Sequence, residues 1–124
     1  MSAMEGKTVG VQRGTTMDTY VTENMGGIVT IKRYTTADDM VLDLEGQRLD
    51  VVFVDYPVGE QTVLTKEGFK EVGEAVKLGE GVGVAMRQRD TDLAEEVNAA
   101  LRTLKEDGTY DTIMQKYFAY DIKM

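Results

Sequence analysis

The side chains available for chemistry are few in kind. The 124 residues include no cysteine and no histidine. A thiolate or imidazole nucleophile, a histidine base, a disulfide scaffold and the common zinc sites are therefore excluded. Any catalysis would have to run on carboxylates, Lys, Tyr, Ser or Thr. Two patterns stand out. One is the triplet Gly14, Thr15 and Thr16; the other is Asp55, an acid that closes the apolar run Val51-Val52-Phe53-Val54. A Gly-Thr-Thr turn that opens a helix presents unpaired N–H groups, two hydroxyls and the positive end of the helix dipole, which suits a small carboxylate or a phosphate. The same triplet also suits an ordinary strand-to-helix turn capped by threonine. Asp55 could accept from an ammonium group, or it could be a solvated strand end or the N-cap of a helix beginning at Pro57.

Other groups carry less. Gly79-Glu80-Gly81-Val82-Gly83 is glycine-rich but precedes a strand-like run rather than a helix, so it reads as a hinge or tight turn and not as a nucleotide loop. Asp38, Asp39, Asp43 and Glu45 share one predicted helix and read as a solvated face before they read as a metal site. Met40, Met86 and Met114 are simplest as core. Tyr110, Tyr117, Phe118 and Tyr120 gather on the last helix, where packing is the default and an exposed docking face the rival.

The elements that must position these residues alternate. Lys7–Val11 reads as a strand, Thr16–Met25 as a helix with Asp18 in its first turn, and Ile28–Tyr34 as a β-branched second strand. Thr36 is an N-cap candidate with Asp39 three residues on, in the manner of a capping box, and Gly46 closes that helix. Leu49–Asp55 is a continuous apolar strand of the kind buried on both faces of a parallel sheet. A helix extends from Pro57 to about Lys66. Phe69–Gly73 and Gly81–Met86 read as two further strands. Thr91–Glu106, with Leu93, Val97, Ala100, Leu101 and Leu104 at helical spacing, and Thr109–Tyr120, with Ile113, Met114, Tyr117 and Phe118, finish the chain around an Asp107-Gly108 turn. This order predicts an α/β fold: a three-layer, flavodoxin-like sandwich on a mostly parallel sheet of about five strands, followed by two C-terminal helices. Ligands of such sheets bind beyond the carboxyl ends of the strands, which is where Gly14–Thr16 and Asp55 fall.

Charge narrows the partners. The net charge is −8, and residues 36–80 hold 11 acidic against 4 basic side chains. A phosphate backbone needs clustered Lys and Arg, so a nucleic-acid partner is not expected. No apolar run approaches a membrane span, and Met1-Ser2-Ala3-Met4-Glu5 has neither the basic nor the apolar region of a signal peptide. The length is that of one ordinary domain.

Three segments taken together resemble the extracytoplasmic solute-binding proteins of amino-acid ABC transporters: GKTVGVQRGTT, RLDVVFVDYPV, and VGVAMRQRDTDLAEEVNAALRTLKEDGTYDTIMQKYF. The last is the most specific, and the likeness runs from about Gly6 to Tyr120. The resemblance implies one lobe of a type II periplasmic binding protein, divided into a ligand-binding lobe at 1–87, with the return hinge strand Gly81–Arg87, and a helical segment at 88–124. The first lobe and the outgoing hinge strand have no counterpart in these residues. By the same resemblance, Gly14, Thr15 and Thr16 hold the α-carboxylate of an amino acid and Asp55 its α-ammonium. Met17 stands where some relatives carry a polar residue, and Arg13 is not given the role of the family's carboxylate-clamping arginine, which comes from the first lobe.

The resemblance thus implies a binding module for a polar or charged amino acid, without catalytic residues, cofactor or metal, extracytoplasmic, and served in the full-length family by a transporter permease. Half a site leaves the ligand exposed and lacks a bidentate arginine, so the isolated chain is expected to bind weakly or not measurably. Edges and helix faces left open favour a homodimer or segment swap. Two other classes remain as alternatives. A dehydratase-like enzyme on the same fold would need acid and base groups in a full cleft. A flavodoxin-like signalling receiver could use Asp55 as its acceptor, but Gln12-Arg13-Gly14 supplies no acid pair for magnesium.

Overall fold

The structure, a computed structural model, describes residues 2–79, 81 and 83–118. It divides into two compact units, Met1–Gly79 and Glu80–Met124. The first unit contains three parallel strands: β1 (Thr8–Gln12), β2 (Thr30–Tyr34) and β3 (Val51–Val52), in the order β2-β1-β3. Helix α1 (Thr16–Met25) connects β1 to β2, α2 (Ala37–Glu45) connects β2 to β3, and α3 (Tyr56–Thr62) comes after β3.

Why α1 and α2 take opposite faces is legible in β1. Successive strand residues point to opposite sides of a sheet. Val9 and Val11 are buried with Val21 of α1, and Ile31 and Phe53 pack on that cluster. On the other face Met40, Val41 and Leu44 of α2 join Leu49 and Val63, with Tyr34, Val52 and Val54 packed against them. Gly10 lies between Val9 and Val11, and a Cβ there would sit 2.5 Å from Leu49 Cδ1 and 2.9 Å from Met40 Cγ. The missing side chain is what lets α2 close on the central strand. The result is the expected three-layer α/β sandwich, wound both ways from β1.

The local signals explain the helices. Thr15 caps α1 and Thr36 caps α2; each hydroxyl accepts the N–H of an aspartate three residues on, Asp18 and Asp39, at 3.2 Å. Thr36 also donates to Asp39 Oδ2 at 2.7 Å, so cap and aspartate bond to each other twice. Pro57 enters α3 in its first turn.

The strand count differs from expectation. Among the described residues there are three strands, not about five. The third is two residues long, against the seven read from Leu49–Asp55. Phe69–Gly73 is irregular and mostly exposed, bounded by Gly68 at φ +90° and Gly73 at φ +80°. Those are left-handed conformations that a strand does not use. Residues 81 and 83–86 are also irregular, with Gly81 at φ +120°; Val82 and Glu80 lie outside the described residues. Alternating glycine and valine has the period of a strand but little side chain to hold a ladder.

The second unit contains α4 (Thr91–Glu106) and α5 (Thr109–Tyr117). Gly108, at φ +79°, makes the turn between them, and Asp107 Oδ1 accepts the Thr109 N–H at 2.8 Å. Met114 is buried, whereas α4 has no buried residue. Of the aromatic group, Tyr110 and Phe118 are half-buried, Tyr117 is exposed, and Tyr120 lies outside the described residues.

Candidate functional site

Both expected site segments leave the carboxyl edge of the sheet on either side of its winding point. β1 stays paired with β2 through Gln12 opposite Tyr34, and the Arg13 N–H still reaches Tyr34 O at 2.9 Å. Its pairing with β3 is shorter: Val9 with Val51, Gly10 with Val52, then the Phe53 N–H on Gly10 O at 2.9 Å. From there the two chains go separate ways, β1 into Gly14–Thr16 and β3 into Asp55. In sheets wound both ways, the notch between the strands where the winding reverses is where ligands enter.

Gly14 takes φ +72°, which a side chain would resist, and a Cβ there would meet nothing within 4 Å. The glycine is therefore needed for its backbone and not for space. The Thr15 hydroxyl donates to Gln12 O at 2.7 Å, and the same hydroxyl oxygen accepts the Asp18 N–H. The Thr16 hydroxyl lies 3.3 Å from Met17 Sδ, a weak acceptor that a stronger one would displace. Thr15, Thr16 and Met17 open a helix, so their N–H groups have no acceptor one turn earlier. Met17 itself is buried, which removes its side chain from the surface where a polar residue could select ligands.

Asp55 is exposed. Its carbonyl accepts the Gly59 N–H at 3.0 Å as the N-cap of α3, but its carboxylate makes no capping hydrogen bond. The side chain is thus not engaged as the helix cap that its position allowed. Tyr20 of α1 stacks on Phe53 at 5.5 Å between ring centres and an interplanar angle of 12°, close behind the same edge.

One neighbour of this turn has no single-sequence warning. Asp18 Oδ2 accepts the Gly14 N–H at 3.0 Å and Asp18 Oδ1 accepts Arg33 Nε at 2.8 Å. Arg33 also donates through Nη2 to Thr22 Oγ1 at 2.8 Å, and Thr22 donates in turn to Asp18 O at 2.7 Å. The Gly14 N–H, with the Arg33 guanidinium behind it, holds the Asp18 carboxyl below the usual carboxylate range against a partial desolvation. The spacing from Thr15 to Asp18 is a capping-box signal; the pairing with Arg33 across fifteen residues has none.

The acidic face of α2 is occupied by structure. Asp43 accepts from Tyr34 Oη at 2.6 Å and from Arg48 Nε at 2.7 Å, and Glu45 pairs with Lys66. Among the described residues no cluster of acids is arranged to hold a metal ion, and no helix is long and apolar enough to cross a membrane.

Comparison with known proteins agrees with this architecture. The family described as bacterial extracellular solute-binding proteins, family 3, matches residues 5–120. The L-arginine-binding protein of Pseudomonas aeruginosa is 36% identical over 127 residues, covering 96% of this chain and 49% of that protein. The histidine-binding periplasmic protein of Salmonella typhimurium is 32% identical over 130 residues, covering 98% of this chain and 50% of its own length. Among solved structures, an ancestral arginine-binding protein bound to arginine superposes with a TM-score of 0.81 at 35% identity, over 94% of this chain and 52% of that one. The chain spans about half the length of the relatives it matches.

Proposed function

We propose that this chain, which belongs to the bacterial extracellular solute-binding proteins of family 3, holds one side of a free amino acid as part of an ABC transporter's binding component. The ligand's α-carboxylate would lie against the Gly14–Thr16 turn and its α-ammonium against Asp55. The observation that carries this is the placement of a donor-rich turn after β1 and an acid without a capping bond after β3, the two neighbouring strands between which the sheet reverses its winding. The two ends of a zwitterion require that pairing of opposite polarities; a phosphate would use the turn and leave Asp55 repelled.

A polar or charged amino acid is the ligand class, with arginine and histidine the first to test because two relatives are named for them. The role is binding without catalysis. Within this reading residues 1–87 form the ligand lobe, ending in the irregular segment that leads back toward the hinge, and 88–124 the helical segment. The protein works outside the cytoplasm and meets a permease. Self-association of two copies, or a swap of their last helices, would cover Leu93, Ile113 and Tyr117, which are 50%, 51% and 67% exposed.

An NMR titration of labelled chain with L-arginine and L-histidine tests the ligand assignment, with oligomeric state followed by light scattering. Saturable shifts at Gly14, Thr15 and Thr16, absent in Asp55→Ala, are the expected result. Binding is weak, because enclosure on one side leaves much of the ligand in water. Shifts of equal size with inorganic phosphate and none with amino acids would sink the proposal.

A further inference from the structure

The turn that would hold the ligand carboxylate is itself held by a carboxylate. Three groups from three places converge on it: the Gly14 N–H from the loop after β1, Asp18 from the first turn of α1, and Arg33 from the last pair but one of β2. Val11 and Arg33 are partners in the β1–β2 register, so Arg33 stands beside the end of β1 and is placed by the sheet rather than by a loop. Asp18 is only 13% exposed in its side chain, and Arg33 is 37%. A charged hydrogen bond of this kind is worth more than a surface ion pair.

The arrangement divides the donors of the turn. The Gly14 N–H is taken by Asp18 Oδ2, and the Asp18 N–H by the Thr15 hydroxyl. What remains without an intrahelical acceptor is the N–H groups of Thr15, Thr16 and Met17, beside the weakly engaged Thr16 hydroxyl. A negative side chain this close would repel a second carboxylate unless its own charge were offset, and Arg33 offsets it. We propose that Asp18 is the positioning residue of the anion-binding turn: it locks Gly14 in its left-handed conformation, and Arg33 neutralises it so that the next donors along can receive the ligand carboxylate. This rests on the binding role proposed above, but it moves the carboxylate one residue along, from Gly14 toward Met17, and gives Arg33 an electrostatic part without ligand contact.

The test uses the 124-residue chain as wild type, Asp18→Ala, Asp18→Asn and Arg33→Gln, each checked for folding by circular dichroism. L-arginine and L-argininamide, which lacks the carboxylate, are titrated while the amides of residues 14–17 are followed. Asp18→Ala is expected to weaken L-arginine binding about tenfold. Arg33→Gln is expected to weaken it about threefold and to leave L-argininamide unchanged, a split that mere loss of structure would not produce. If Asp18→Ala does not fold, Asp18→Asn, which keeps an acceptor, is expected to retain most of the affinity for both ligands. Equal L-arginine affinity in wild type and Asp18→Ala, or equal losses for both ligands in Arg33→Gln, overturns the positioning role and leaves the binding role standing. If the wild type shows no shift with either ligand, the binding role fails. The positioning role is then decided by amide exchange without ligand, where Gly14 should exchange about tenfold faster in Asp18→Ala than in wild type or Asp18→Asn. Unchanged exchange overturns it.

Discussion

The two units bury their apolar residues to very different degrees. Of the ten buried hydrophobic residues described, nine belong to Met1–Gly79: Val9, Val11, Met17, Val21, Met40, Val41, Leu44, Leu49 and Val63. In Glu80–Met124 Met114 is the tenth. Yet α4 has the more regular apolar stripe, with Leu93, Val97, Leu101 and Leu104 at helical spacing, and none of them is buried. Periodicity states which face of a helix seeks cover; it does not supply the cover. The sheet unit supplies its own, since each strand offers two faces and each face meets a helix.

The sharpest way to test this contrast is at the two methionines. Met40 is fully buried between α2 and the sheet, and Met40→Ala is expected to destabilise the sheet unit by roughly 2–5 kcal/mol. Met114→Ala should cost clearly less, measured by urea melts followed at amides of each unit. An equal loss at both would show that the helical unit has a core as tight as that of the sheet.

Gly10→Ala attacks the same packing from the strand side. Its Cβ would fall 2.5 Å from Leu49 and 2.9 Å from Met40. A cost of about 1–3 kcal/mol is expected from overpacking, read in the same melts. No loss would mean that both side chains move aside freely, and that the glycine reflects something other than fit.

Acid should separate the units next. Asp18 is held below the ordinary carboxylate range by the Gly14 N–H, Asp43 by the Tyr34 hydroxyl and Asp50 by the Thr8 N–H, all in the sheet unit. In the helical unit Asp107 alone, among the described residues, is so held, by Thr109. A depressed folded value means stability that is present above the unfolded carboxylate value of about 4 and is lost as pH falls below it. The sheet unit is therefore expected to lose more stability on acidification, by amide exchange or circular dichroism. At the other end burial and then Asp43 push the Tyr34 phenol up to about 12. That contribution is complete below the unfolded phenol value of about 10 and is lost as pH rises toward 12.

The smallest effect is expected at Leu93, half exposed on α4. In the unassociated chain Leu93→Lys should change stability by less than about 0.5 kcal/mol, in a thermal melt at low protein concentration. A larger loss, especially one that grows with protein concentration, would show that a second copy covers this face.

Much of this architecture is legible in the residues alone. The spans of α1 and α4, the Thr36 cap, the turn at Gly108 and the α/β class obey local rules that the tertiary structure does not override. The shortfall comes where a strand's existence depends on its neighbour. Val51–Val54 is apolar throughout, but only Val51 and Val52 find a ladder. The glycine-bounded run at 69–73 and residues 83–86 find no such ladder among the described residues. At the candidate site the backbone features, Gly14 and the Thr15 cap, are visible as residue types. The long-range partner, Arg33, is not, because nothing in Arg33's own surroundings marks it as a neighbour of Asp18.

The strand order also dictates a sequence of events in time. β1 must find β2 across 22 residues, from Thr8 to Thr30, and β3 across 42, from Val9 to Val51. Closing the longer loop costs about 0.6 kcal/mol more in chain entropy, and it cannot be repaid until α2 lies on Gly10. The β1-α1-β2 half is therefore expected to nucleate folding, with β3 added after the main barrier. Destabilising changes at Val21 would then slow folding, while those at Leu49 would chiefly hasten unfolding. The edge of the sheet where Asp55 emerges is the last part to assemble and the first to come apart.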